Sequence, residues 1–289
     1  MMEKQGNPFF AALVSGASAG LAADVSLYPL DTLKTRLQSG QGFWAAGGFN
    51  RIYAGLGPAA LASAPGASVF FCTYETVKQG VGSRVGPQYQ PLAQMLAAGV
   101  GEVVACVIRV PTEVVKQRRQ VQQQSTALSI IRSTLRQEGV PGLYRGYLST
   151  VAREIPFSLI QFPLWEGFKQ IWGREQGRPV DPWQAAVCGA AAGGLSAAAT
   201  TPLDVAKTRI MLADAASPLA SSSVWVALKH VHSSRGVTGL FAGVLPRTVW
   251  MATGGFVFLG VYDKVNSVIA RLNSDRNTDD DADYDSPNR

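Results

Sequence analysis

Six long stretches of the chain are mostly apolar but are interrupted by glycine, alanine and single polar residues. We predict helices near residues 8–37, 57–79, 91–120, 147–170, 182–210 and 245–268. Each stretch is long enough to cross a hydrocarbon core, which takes about 20 residues. Few are uniformly apolar, and this pattern favours helices with one face toward lipid and one toward water. The segments ALSIIRSTLRQEG and WVALKHVHSSRG, in two of the connections, predict short amphipathic helices.

One mark recurs three times and begins with a proline inside a predicted helix. It reads PLDTLKTR at 29–36, PTEVVKQR at 111–118 and PLDVAKTR at 202–209. An acid follows the proline by two residues, a base by five and an arginine by seven. A proline inside a helix removes a backbone hydrogen bond and kinks the helix. Acid and base are three residues apart and therefore share roughly one helix face.

Two further marks follow in the same order in each copy. The second is a glycine, four residues, an aromatic, one residue and a glycine, at 48–55, 139–146 and 236–243. The third is YETVK at 74–78, WEGFK at 165–169 and YDKVN at 262–266. Such periodicity indicates a chain built from one repeated unit. We predict units at residues 1–86, 87–177 and 178–273, followed by an acidic disordered tail at 274–289.

The composition narrows the class of protein. The chain is 47% hydrophobic and 16% charged, against roughly 25% charged residues in an ordinary soluble domain. Its net charge is +6; because the tail carries six aspartates and two arginines, residues 1–273 carry +10. Three separated cysteines and two histidines provide no ligand cluster, and no nucleotide-binding or nucleophile motif is present. We therefore expect no metal, no cofactor, no nucleic-acid partner and no enzymatic activity.

With these marks the chain resembles the mitochondrial carrier family, up to about residue 270. The resemblance implies an all-α membrane protein with six transmembrane helices. They would form three tandem two-helix repeats with short matrix helices, arranged as a pseudo-threefold bundle. It also implies a monomeric protein of the inner mitochondrial membrane, with both termini toward the intermembrane space.

The resemblance implies two rings of ion pairs that close the bundle alternately. The matrix gate pairs are Asp31–Lys116, Glu113–Lys207 and Asp204–Lys34, braced by Gln38 and Gln120, with Met211 at the third brace position. The cytoplasmic gate pairs are Lys78–Glu166 and Lys169–Asp263, with Asn266 in place of a base opposite Glu75. The alternative interpretation is ordinary interfacial charges that extend toward water.

The same resemblance implies cardiolipin binding where each repeat's second mark ends. The glycines at these points are Gly55, Gly146 and Gly243. Each precedes a predicted helix N-terminus, where backbone N–H groups attract phosphate. A supporting base is present only in the second copy, at Arg145.

Charges deeper in the predicted helices are candidates for a substrate site, because ionisable residues in mid-membrane are costly. They are Asp24, Glu102, Arg109, Arg153 and Glu154, with Gln161 on the face of Glu154 and the apolar positions Ala62 and Met251 on neighbouring helices. The family resemblance implies that the position of Arg153–Glu154 contacts substrate. The alternative is that these charges are structural pairs, with Glu102 and Arg109 paired to each other.

The charges of Arg153, Glu154 and Asp24 sum to −1, which complements a cationic zwitterion. S-adenosylmethionine has this charge, but lysine, arginine and ornithine share it, so charge does not separate them. The resemblance, and not the charge, leads to our hypothesis of an alternating-access antiporter that exchanges cytosolic S-adenosylmethionine for matrix S-adenosylhomocysteine. The alternatives are a carrier of basic amino acids or adenine nucleotides, and a non-transporting membrane scaffold.

Overall fold

The computed structural model describes residues 8–82, 86, 90–122, 124–213, 217–219, 223–257, 261 and 264–265. This part of the chain is mostly helical and contains no β-strand. Its helices are α1 (Pro8–Gln38), α2 (Leu56–Gly82), α3 (Gln90–Val121), α4 (Ala127–Gln137), α5 (Gly139–Leu143), α6 (Tyr147–Gln176), α7 (Pro182–Ala199), α8 (Thr201–Leu212), α9 (Val224–Leu240) and α10 (Val244–Val257). The predicted acidic tail at 274–289 lies outside the described residues.

The fifth predicted helix, 182–210, is not continuous. It divides at Thr200 into α7 and α8, which meet at a bend of 62°. Pro202 lies in the first turn of α8, where its missing N–H costs least. By contrast, α1 and α3 continue through Pro29 and Pro111. The proline of the repeated mark therefore interrupts only one of the three helices.

The two predicted loop helices are present, and side chains cap both of them. The hydroxyl of Thr126 accepts a hydrogen bond from the Ser129 N–H at the start of α4. Ser223 caps α9 in the same way, through the Val226 N–H. These caps satisfy backbone donors that an isolated helix start leaves open. The glycine-rich first connection, residues 39–55, instead consists of turns and short irregular backbone.

One described helical segment, Met95–Val121 within α3, has the length and apolar composition to cross a membrane. The bent pairs α7–α8 and α9–α10 also meet these criteria when each is taken as one span, which gives up to three. The predicted number of six therefore exceeds what length and hydropathy establish for the described residues. Glycine, alanine and charged residues lower the mean hydropathy of the remaining long helices, as expected if one face of each helix lines water.

Helices α1, α3 and α8, which carry the three proline-acid-base segments, contact one another pairwise. Helix α2 packs along α3, where a Cβ atom at Gly101 would lie 3.2 Å from the Phe70 carbonyl oxygen. Helix α6 packs along α7, where the Trp165 indole N–H donates to the Ala185 carbonyl at 3.0 Å. The fold thus gathers three copies of one charged segment at a single place.

Candidate functional site

Three ion pairs join α1, α3 and α8 in a cycle. The Lys116 ammonium lies 2.8 Å from Asp31 Oδ2, and the Lys207 ammonium lies 2.6 Å from Glu113 Oε1. Lys34 completes the cycle at 2.9 Å from Asp204 Oδ2. Each acid is therefore paired with a base from a different helix, in the cyclic order that the family resemblance implied.

Glutamine side chains support two of the three pairs. Gln38 donates its amide N–H to Asp204 Oδ2 at 2.8 Å and accepts a hydrogen bond from the Thr208 hydroxyl at 2.7 Å. Gln120 donates to Asp31 Oδ2 at 2.8 Å. Both glutamines are fully buried. Their hydrogen bonds to carboxylates are charge-assisted, the stronger class of hydrogen bond.

The third pair is supported differently. Met211, at the third brace position, is fully buried in an apolar cluster with Cys106, Val110 and Val114. Glu113 instead accepts a hydrogen bond at 3.0 Å from Gln117, one turn along its own helix. The Glu113–Lys207 pair therefore has a local brace but lacks the cross-helix brace of the other two.

The arginines that end the three repeated segments form a second cycle, which was not predicted from the sequence. The Nε of Arg36 donates to the Gln120 carbonyl at 2.9 Å, and that of Arg118 donates to the Met211 carbonyl at 3.3 Å. Arg209 donates in the same way to the Gln38 carbonyl. The signal in the sequence is the arginine seven residues after each proline, whose partner the spacing alone does not reveal. This cycle ties each helix end to the next at the level of the braces.

Asp204 is surrounded by more cations than the other two acids. Besides Lys34, it lies 3.6 Å from Arg153 Nε and 3.6 Å from Arg247 Nη1. Arg247 also donates to the Thr200 carbonyl at 3.0 Å and to its hydroxyl at 2.9 Å. Arg247 is buried and was not among the predicted site residues. Arg247 lies four residues after Gly243, and the residues four after Gly55 and Gly146 are uncharged. Because the arginine does not recur in the other copies, the repeat pattern could not predict it.

The predicted substrate pair lies beside this gate. Arg153 forms an ion pair with Glu154, its neighbour in α6, and both side chains are mostly buried. Arg153 thus links Glu154 to Asp204, which joins the candidate substrate position to the ring of ion pairs. A guanidinium held between two carboxylates can exchange either for the carboxylate of a ligand.

The other deep charges divide into two groups. Glu102 and Arg109 form an ion pair within α3, so the alternative interpretation of a structural pair describes their geometry. Asp24 is half-buried in α1. The Glu102–Arg109 pair is near enough to Arg153 and Glu154 for the charges of the two pairs to interact.

Two of the three remaining predicted positions lie close to the same glycine. Gln161 of α6 and Met251 of α10 both approach Gly193 of α7, where an added Cβ would lie 3.8 Å from the Gln161 amide nitrogen and 3.9 Å from the Met251 carbonyl oxygen. These two residues therefore face a common region. Ala62 lies in α2, but its side chain is outside the described part.

In the described part of the second predicted ring, both lysines are paired within their own helices. Lys78 lies 3.2 Å from Glu75 of its own helix rather than against Glu166. Lys169 lies 2.8 Å from Glu166, also within one helix, and its ammonium is 4.1 Å from the centre of the Trp165 ring. A lysine reaches an acid three residues away without any contribution from a second helix.

These intrahelical pairs take the place of the predicted Lys78–Glu166 pair in the described state, and that pairing stays a prediction. The predicted partners Asp263 and Asn266 lie outside the described residues. The acids of both intrahelical pairs are more than half exposed, whereas every acid of the first ring is largely buried.

The three predicted lipid-site glycines all have positive φ angles and precede α2, α6 and α10. Each also packs on the next repeat: an added Cβ would lie 3.0 Å from the Lys116 carbonyl oxygen at Gly55 and 3.2 Å from the Lys34 carbonyl oxygen at Gly243. At Gly146 it would lie 2.8 Å from Met211 Cγ. The backbone conformation and the close approach both favour glycine. Arg145, the predicted supporting base, is paired with Glu138 at 2.6 Å.

Comparison with known proteins decides the family. A family model described as "Mitochondrial carrier protein" matches three successive segments, residues 5–84, 87–176 and 178–273. The chain belongs to the mitochondrial carrier family. Membership makes this carrier a mitochondrial membrane protein and groups it with transporters rather than enzymes.

Several relatives carry a more specific name. The "Mitochondrial S-adenosylmethionine carrier protein" of Mus musculus is 58% identical over 264 residues, which cover 91% of this chain and 96% of the relative. The protein of the same name from Xenopus tropicalis is 57% identical over 263 residues, 91% of this chain and 97% of the relative. The "Putative mitochondrial carrier protein PET8" of Saccharomyces cerevisiae is 43% identical over 278 residues, 92% of this chain and 96% of the relative.

Proposed function

We propose that this carrier transports S-adenosylmethionine across the inner mitochondrial membrane in exchange for S-adenosylhomocysteine. Relatives named as S-adenosylmethionine carriers align with about nine-tenths of the chain. The structural observation that carries the proposal is the Arg153–Glu154 pair beside Asp204. This pair supplies opposite charges for a zwitterionic ligand and lies against the ring that closes the bundle.

The proposed architecture is a pseudo-threefold bundle of six membrane-spanning segments. Its repeats are residues 1–86, 87–177 and 178–273, with both termini toward the intermembrane space and the carrier acting as a monomer. The threefold cycle of ion pairs and the matching cycle of arginine–carbonyl hydrogen bonds support this symmetry. Cardiolipin is the proposed lipid at the N-termini that follow Gly55, Gly146 and Gly243.

In this proposal Arg153 holds the substrate carboxylate through a two-pronged contact, which a guanidinium makes readily. Glu154 and Asp24 stabilise the ammonium and the sulfonium. The three residues together carry −1 and S-adenosylmethionine carries +1, so the occupied site is close to neutral. Met251 and Ala62 supply apolar surface for the adenine ring.

Substrate binding also acts on the gate. Arg153 lies 3.6 Å from Asp204, and a substrate carboxylate competes with Asp204 for it. Each cation that Asp204 loses weakens its attachment to the neighbouring helices. Buried ion pairs recover their desolvation cost only when their geometry is complete, so a small displacement is enough to loosen the ring.

We infer that the closed first ring and the intrahelical pairs of Lys78 and Lys169 belong to one state of an alternating-access cycle. We assign the first ring to the matrix side and the second to the cytoplasmic side, so the described state is open toward the intermembrane space. Opening to the matrix requires the three cross-helix pairs to separate. The lysines of α2 and α6 then leave their intrahelical acids for partners on neighbouring helices.

The test is uptake of labelled S-adenosylmethionine into liposomes that contain the purified protein. The liposomes are preloaded with S-adenosylmethionine, S-adenosylhomocysteine, lysine, ADP or nothing. We expect uptake only against the first two. Exchange of lysine or ADP without S-adenosylmethionine uptake would retain the carrier assignment and overturn the substrate. Absence of all exchange from folded protein would favour a scaffold.

A double substitution tests the site. Replacing Arg153–Glu154 with Gly-Ile removes both charges and should abolish uptake. The adjacent, exposed Arg174–Glu175 pair near the end of the same helix is the matched control, because the same replacement there leaves the proposed site intact. Equal loss of uptake in both variants, or unchanged uptake in the first, would contradict the assignment.

A further inference from the structure

The three arginines of the second cycle differ in the partners of their terminal nitrogen atoms, Nη1 and Nη2. Arg36 donates from Nη1 to the Gly48 carbonyl at 2.7 Å. Arg118 donates to the Thr134 hydroxyl at 2.8 Å and forms an ion pair with Glu138 at 3.0 Å. Arg209 is 8% exposed, and its Nη2 is buried without a hydrogen-bond partner. Of three equivalent guanidinium groups, only the third has an unfilled donor.

The sequence explains the difference through the residue before the first glycine of the second mark. Gly47, Glu138 and Arg235 occupy this position in the three copies. Glu138 supplies a carboxylate to Arg118, but the third copy places another guanidinium where that carboxylate would be. The position is therefore neutral in the first copy, negative in the second and positive in the third.

The two guanidinium groups of the third copy meet at Gly40. Arg235 donates from Nη2 to the Gly40 carbonyl at 3.2 Å. A Cβ atom at Gly40 would lie 3.0 Å from Arg209 Nη1. Within the described ranges neither arginine forms an ion pair with a carboxylate, and Arg235 is exposed on its outer side. Two positive charges therefore converge near Gly40, where Arg235 is exposed, and no carboxylate of the described residues pairs with either of them.

We propose that Arg209 and Arg235 form an anion site that takes a phosphate group. A buried guanidinium donor without an acceptor is costly, and a bound oxyanion supplies the acceptor and the missing negative charge together. Phosphate suits this geometry because guanidinium groups bind its oxygen atoms in pairs. A phospholipid headgroup and inorganic phosphate share this chemistry. The site is separate from the substrate cluster, so it does not depend on the proposed substrate.

Thermal unfolding of the full-length protein in detergent tests the site. The probes are inorganic phosphate, with chloride at matched ionic strength as the control, and micelles doped with phosphatidylglycerol, with phosphatidylcholine as the control. At roughly tenfold excess over the dissociation constant we expect a rise in the unfolding midpoint of about 3 °C. A response to phosphate identifies a free anion site, and a response to phosphatidylglycerol alone identifies a lipid headgroup site.

The decisive variant is Arg235→Glu, which reproduces in the third copy the acid of the second. It should raise the unfolding midpoint without any added anion, because Arg209 gains an internal partner, and it should abolish the response to either probe. Arg132→Glu makes the same change of charge at an exposed position of α4 and should retain the wild-type response. No response of the wild type beyond its matched controls would overturn the proposal. So would an undiminished response of Arg235→Glu, or loss of the response in Arg132→Glu.

Discussion

The two glutamine braces should differ in their contribution to stability, although they occupy equivalent positions. Gln38 uses both ends of its amide, donating to Asp204 and accepting from Thr208. Gln120 donates to Asp31 and, at 3.3 Å, to the Thr32 hydroxyl, which itself donates to the Ile52 carbonyl, but its amide oxygen is buried without a hydrogen-bond partner. Methionine is close to glutamine in size and is the residue that the third copy has at this position. We therefore compare Gln38→Met with Gln120→Met.

The expected magnitudes follow from these contacts. A hydrogen bond to a charged group contributes about 1.5–3 kcal/mol, and leaving the buried Thr208 hydroxyl unpaired adds roughly 1 kcal/mol. Gln38→Met should therefore cost about 3 kcal/mol. Gln120→Met loses a similar bond to Asp31 but also removes a buried unsatisfied carbonyl, whose cost is roughly 1–3 kcal/mol. Its net effect should be close to zero.

Thermal unfolding of purified protein can separate the two variants. Cys106 and Cys188 are free and buried, so a thiol-reactive dye reports their exposure. A loss of about 3 kcal/mol corresponds to a midpoint roughly 6 °C lower, whereas Gln120→Met should remain within about 2 °C of the parent. If Gln120→Met proved as destabilising as Gln38→Met, the reasoning from unsatisfied amide groups would be refuted.

Three further predictions concern the gates and the transport step. Exchanging the charges of Asp31 and Lys116 should preserve folding and some transport. Exchanging those of Lys34 and Asp204 should not, because the lysine introduced at position 204 would repel Arg153 and Arg247 by about 4–5 kcal/mol each at 3.6 Å. Unfolding midpoints and exchange rates of the two double variants provide the comparison. Exchange of S-adenosylmethionine (+1) for neutral S-adenosylhomocysteine should be electrogenic. An interior-negative potential of about 100 mV should raise accumulation up to about 50-fold, and leave exchange of S-adenosylmethionine for itself unaffected. Asn266→Lys should complete the cytoplasmic ring and slow exchange by up to about fivefold, and unchanged rates would contradict that role.

The repeated marks predicted much of the local architecture, because helical periodicity is a local property. The long helices begin close to the predicted residues, and the two loop helices lie in the second and third connections. The break at Thr200 was missed because the same proline occurs inside the continuous helices α1 and α3. What differs is the packing around each proline, which a single sequence does not reveal.

The candidate site was predictable where its residues recur and unpredictable where they do not. The three acid–base pairs recur in every copy, so symmetry and the family resemblance together fixed their partners. Arg247 has uncharged counterparts in the other copies, and its contact with Asp204 depends on how α10 lies against α8. In the proposed cycle Lys78 pairs with Glu75 in one state and with Glu166 in the other, and a sequence does not select between two states.

The three pairs of the closed ring are unequal, and the inequality suggests an order of opening. Asp204 is held by Lys34, two arginines and Gln38, whereas Asp31 has one lysine and Gln120. Glu113 has one lysine and only a local glutamine. Because Arg153 is one of the cations on Asp204, the proposed substrate would weaken the attachment of the most strongly held acid of the ring. Coupling substrate binding to the most strongly held acid keeps the empty carrier closed, since the other two pairs cannot separate fully while that acid remains attached.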